Sequence, residues 1–159
     1  MTLWTLPTTP VLPLLTSEIS RRPDPQGEQL ANVTLGTLES SPSTDWCVQV
    51  GGQYFVPAWN PEAEAQAQAA FTDIPLSEAL DQARERVRRS AFRRVAYGVS
   101  WHYQRLSARV FDVEGNPLST KSLGGVASDL SLERQQQLEA QLLAQAHEDA
   151  QDWAILGLN

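Results

Sequence analysis

The sequence predicts an α+β fold, an antiparallel β-sheet built from hairpins and packed with two or three helices, including a long C-terminal helix. Three observations carry that expectation. β-favouring runs come in pairs joined by turn residues, so they read as hairpins. A helical apolar period fills the middle of the chain, and a longer one follows residue 130. Helices packed on an antiparallel sheet bury such elements economically.

Six of the ten prolines lie in the first 42 residues, which predicts an extended or loop-rich start rather than a helical one. Residues 1–28 accordingly read as an extended proline-rich segment, and residues 29–159 as a single α+β domain. Ala31, Val33, Leu35 and Thr37 alternate with Asn32, Thr34 and Gly36, the pattern of a half-buried strand. The stretch WCVQVGGQYFVPAW predicts a hairpin turning at Gly51-Gly52.

Asn60 and Pro61 open a short helix as N-cap and first helical residue. Pro75 starts a second helix, whose Leu76, Leu80, Ala83, Val87 and Ala91 form a narrow core-facing stripe. After Val95 the period changes to two, with Tyr97, Val99, Trp101 and Tyr103 on one face. Gly98, Ser100, His102 and Gln104 take the other face. Leu106, Ala108 and Val110 then carry the apolar side, so the parity inverts near Gln104-Arg105, through a bulge or through an end and restart.

The turn EGNP at 114–117 returns the chain into a partner strand. Asp129 or Ser131 caps the last helix, with Leu138, Leu142, Ala146, Ala150, Trp153 and Leu156 on its buried side and Gly157 ending it. At ~1.5 Å per residue that helix is long enough to pair with a second copy of the chain.

Composition narrows the functional classes. The 159 residues are 42% hydrophobic and 19% charged, ordinary for a globular protein. A single cysteine, Cys47, leaves no internal disulfide and no cysteine-based metal cage, which fits a reducing compartment. No apolar run approaches the ~20 residues that span a bilayer, and prolines interrupt the opening apolar stretch. The expectation is a cytoplasmic protein with no membrane partner. Cofactors and metals are not expected. His102 and His147 are the only histidines, and HEDAQD at 147–152 lacks the paired ligands on one face that helical metal motifs need.

The charge layout is the one feature beyond composition. The formal net charge is −7, yet residues 84–109 hold eight basic residues and one acid, a local balance of +7. The remainder carries four basic and eighteen acidic residues, or −14. On a helical wheel Arg86, Arg89 and Arg93 form one outward stripe, with Arg84 and Arg88 on the opposite flank and Arg105 and Arg109 on the following strand.

Guanidiniums suit phosphate because their planar fork binds bidentately. The sequence therefore points to a non-catalytic module engaging an anionic macromolecule, narrowly a nucleic-acid backbone, through these seven arginines. The competing account is structural. Acids lead this helix (Asp73, Glu78, Asp81) and arginines end it, the order the helix dipole favours, and acids of the last helix could neutralise them. Two further classes stand beside the first. One is a protein–protein adaptor, chaperone or inhibitor, dimeric through the last helix. The other is a small enzyme using the polar strand face around His102, with Cys47 or a serine and Asp112.

Overall fold

The computed structural model of the chain describes residues 14–156. Its elements run β1 (Thr16–Pro23), α1 (Gly27–Thr34), β2 (Gly36–Glu39), β3 (Val48–Val50), β4 (Gln53–Pro57), α2 (Pro61–Phe71), α3 (Leu76–Ala96), β5 (Tyr103–Phe111), β6 (Pro117–Ala127) and α4 (Leu132–Leu156). The fold is α+β. Two antiparallel three-stranded sheets, ordered β1-β5-β6 and β2-β4-β3, accompany four helices, the last of 25 residues. Two compact units divide the chain. One takes the residues up to Arg22, Arg105–Leu123 and those from Leu130 onward; the other takes Pro23–Gln104 and Gly124–Asp129.

The second of these units is built on the hairpin β3-β4. Gly51, at φ +61, makes the tight turn between Val50 and its partner Gln53. β2 joins the other edge of β4, with Gly36 opposite Pro57 and Glu39 opposite Tyr54. Gly36 adopts φ +146, and a Cβ there would collide with the Val56 carbonyl oxygen and the Phe55 ring. Only glycine lets β2 begin so close to β4.

α2 starts as its sequence dictates, with the Asn60 side chain accepting from the Ala63 N–H at 3.1 Å and Pro61 in the first turn. α3 doubles back along α2, and Gln68 donates to Gln82 across the pair. The core closes where Val87 and Ala91 of α3 meet Phe55 of β4, ringed by Leu38, Trp46, Val48, Val50 and Trp59. Full burial of a side chain the size of Phe55 contributes about 2–3 kcal/mol.

Three sequence expectations change here. Residues 31–37 are not one strand. Gly27 and Ala31, four apart, are the buried face of α1, Val33 is exposed, and the strand begins only at Gly36. The first 42 residues, expected to be extended or loop-rich, therefore contain a helix, entered through Asp24, whose carboxylate accepts from the Gln26 N–H at 3.0 Å.

Nor does a strand begin after Val95. α3 continues to Ala96, the chain turns at Gly98 (φ +80), and β5 starts at Tyr103. The parity inversion is thus an end and restart, with Val99 standing 87% exposed at the turn while Tyr97, Trp101 and Tyr103 cluster edge to face. Third, Leu76 is exposed and Ala79 takes its place in the buried stripe.

In the other unit, β5 and β6 form a hairpin around Asp112. Its carboxylate accepts from the N–H groups of Glu114 and Asn116 at 2.9 and 2.8 Å, and from the Asn116 amide. Those donors, the Asn116 backbone first, hold the Asp112 carboxyl below its ordinary range. Ser131 caps α4, its hydroxyl accepting from the Arg134 N–H at 3.2 Å. Arg21 of β1 reaches Glu139, and Lys121 of β6 meets Asp149 at 2.6 Å, so both edge strands are tied to α4. The buried stripe of α4 runs through Leu142, Ala146 and Ala150; on β5, Leu106, Ala108 and Val110 are likewise buried. Trp153, expected on the buried side, is 47% exposed, while the Leu156 side chain and Gly157 lie outside the described residues. Among the described residues no helix is long and apolar enough to cross a membrane.

Candidate functional site

α3 carries arginine on several faces, because five of its residues between 84 and 93 are arginines spread over a 3.6-residue period. Four of the five meet different neighbours. Arg84 pairs with Asp81 at 2.9 Å and lies 5.9 Å from the Trp46 ring. Arg86 reaches back to Glu64 of α2 and stacks 4.4 Å from the Trp59 ring. Arg88 pairs with Glu85 at 3.0 Å.

Arg93 makes two parallel hydrogen bonds to Asp129, at 2.9 and 3.0 Å, and lies 3.7 Å from the Trp101 ring. That bond holds the Asp129 carboxyl below its usual range, against the opposing effect of burial, and raises the Arg93 guanidinium further. Within the other unit, Glu139 and Asp149 of α4 pair with Arg21 of β1 and Lys121 of β6.

Arg94 is different in kind. It is 7% exposed and donates to Asn32, to the Gly36 carbonyl and to Glu28, binding the end of α3 to α1 and β2. Arg105 and Arg109 fall on the exposed parity of β5, where Arg109 approaches Glu18 of β1 at 3.8 Å. That approach places Glu18 and, by alternation, Ser20 and Arg22 on the same sheet face as Arg105, Ser107 and Arg109.

Of the seven candidate arginines, Arg89 alone stands exposed with no carboxylate or aromatic partner among the described residues. Exposed apolar side chains follow it, at i+3 and i+6 on α3 and then in the turn beyond the helix. Phe92 is 65% exposed, Val95 45% and Val99 87%. Sequence periodicity passes over these residues because it places Val95 at a helix end and Val99 on a strand face.

A groove forms elsewhere in the same unit. Trp46 rises between two cavities of about 600 Å3 each. One extends over Val48, Leu80, Val87, Arg84 and Arg88; the other over Thr44, Pro57, Trp59 and Pro61. Asp45 and Glu62 border both. Nothing in the spacing of the sequence joins these residues. They meet only because the loop before β3 folds over the start of α2.

Cys47 also borders the first cavity, half-buried and just ahead of β3 rather than inside it. Burial raises its thiol pKa, but hydrogen bonds from Thr44 and Ser43 outweigh this and hold it below the ordinary value. Asp112 is committed to its own turn, and the backbone of His102 is bonded to Ser128 at 2.9 and 2.8 Å. Comparison with protein-family models, curated proteins and solved structures finds no match to this chain.

Proposed function

We propose that this chain is a non-catalytic binding module whose partner is a protein, docked along the C-terminal half of α3. One arrangement carries the reading: Phe92 and Val95 lie exposed on α3 after Arg89, which is unpaired among the described residues, and Val99 lies exposed in the turn that follows. Aromatic and arginine side chains are enriched at the centres of interfaces, and contiguous exposed apolar surface marks interaction sites. The neighbouring arginines support it indirectly, since Arg84, Arg86, Arg88 and Arg93 already have carboxylate partners in their own unit. An arginine so placed has less to gain from a phosphate than a free one.

The test compares wild type with Phe92→Asp/Val95→Asp, whose fold should survive because both side chains face water. A protein retained by immobilised wild type and lost on the variant, or self-association seen by sedimentation and abolished in it, supports the reading. Equal behaviour of the two removes it.

A second reading, an anionic macromolecule such as a nucleic-acid backbone, is favoured by the open face of the β1-β5-β6 sheet. Arg22, Arg105 and Arg109 share it with a single acid, Glu18. Titration with single-stranded and duplex oligonucleotides at low and moderate salt tests it. Salt-sensitive binding should weaken in Arg105→Ala/Arg109→Ala more than in Arg86→Ala/Arg89→Ala/Arg93→Ala, with the salt slope falling by about one for each phosphate no longer engaged. No binding at low salt excludes it.

A further inference from the structure

We infer that the groove on either side of Trp46 receives an extended, basic, proline-containing peptide segment of a partner protein. The inference shares with the reading above only the class of partner; its surface is separate from the exposed apolar residues of α3.

The argument begins with charge. Asp45 and Glu62 border both cavities, and among the described residues neither has an ion pair or a side-chain hydrogen bond. The cavity over Trp59 is bordered by these two carboxylates and by no basic side chain. Arg84 and Arg88 border only the other cavity, and each is already paired, with Asp81 and Glu85. The Trp59 side of the groove is therefore complementary to a cation.

The shape narrows the cation to a peptide. Trp46, Trp59, Pro57 and Pro61 present rigid apolar surfaces along the groove. Indole rings flanking a groove are the surface on which prolines of a polyproline II segment pack, since that helix is preformed and loses little entropy on docking. A guanidinium or ammonium adjoining the prolines can lie over an indole face and still meet a carboxylate at its edge. The chain itself uses this pairing, with Arg84 and Arg86 set against Trp46 and Trp59 at 5.9 and 4.4 Å.

The probe is a short fluorescein-labelled peptide of repeating Arg-Pro-Pro-Leu units, titrated against the full chain by fluorescence anisotropy. Wild type should bind it in the micromolar range, and a peptide with glutamine in place of arginine should not bind. Asp45→Asn/Glu62→Gln should weaken binding by about tenfold or more. Glu133→Gln/Glu148→Gln removes the same charge from α4 and should leave binding within about twofold. The Phe92→Asp/Val95→Asp protein should bind the peptide as wild type does, so failure of the α3 reading and failure of the groove are told apart. No binding by wild type at low salt overturns the inference. Equal weakening by the two charge-removing pairs also overturns it, because the peptide would then be answering to bulk charge alone.

Discussion

Arg94 shows how differently one residue type can be used within a few positions. It is buried beside Arg93 in sequence, and its guanidinium donates to the Gly36 carbonyl where β2 meets α1. It also orders Asn32 and Glu28 of α1. Replacing it with methionine keeps much of the apolar stem but strands those acceptors. Arg94→Met should lower stability by about 2–3 kcal/mol, read from the denaturant midpoint, while Arg89→Met should stay within about 0.5 kcal/mol. The Glu28 side chain is largely exposed, so its carboxylate returns to water and the loss stays below that of a fully buried pair. None of this is legible in the sequence, where Arg94 is one more basic residue in a run of them. Burial distinguishes it, and burial is set by α1, which the alternation of Ala31, Val33 and Leu35 disguises as a strand.

At the scale of elements, the legible parts are those fixed by local chemistry. Gly51-Gly52 demands a hairpin, Asn60-Pro61 a helix start, and Ser131 with the periodic leucines and alanines behind it a long final helix. The end of α3 is illegible because Tyr97, Trp101 and Tyr103 alternate as a strand would, although a turn separates the first from the others. That end is held by Arg93 on Asp129, with the Trp101 N–H donating to the Arg93 carbonyl at 2.8 Å.

Asp129 makes this junction sensitive to acid. A carboxyl whose pKa is lower in the folded than in the unfolded state adds stability above the unfolded value of about 3.9 and loses it as pH falls through the folded value. Asp129→Asn should therefore be less stable than wild type at neutral pH, with the gap closing as the solution is acidified. Denaturant midpoints measured from neutral pH downward check this. The raised Arg93 pKa keeps that partner charged throughout the range. Both side chains are about 40% exposed, so the effect is modest.

For the molecule as a whole, the segregation of charge along the chain does not become a single basic surface on α3. Successive arginines point around the helix and meet acids from α2, from the turn after β6 and from α3 itself. The net charge of −7 is thus distributed as local pairs with unpaired acids left over, among them Asp45 and Glu62. The candidate surfaces, the exposed apolar residues of α3 and the Trp46 groove, arise from long-range packing. Residues 46, 59 and 62 are brought together by a loop whose path no periodicity encodes.

The division into two units follows the fold rather than the chain. β1 passes from one unit to the other at Arg22-Pro23, β5 at Gln104-Arg105 and β6 at Leu123-Gly124. Cutting the polypeptide at any one of these points would leave both halves of the split with an incomplete β-sheet. Neither unit can be isolated by shortening the protein from an end, and a fragment that loses binding would say nothing about which surface did the work. Assignment has to proceed by exchanging individual side chains in the intact molecule.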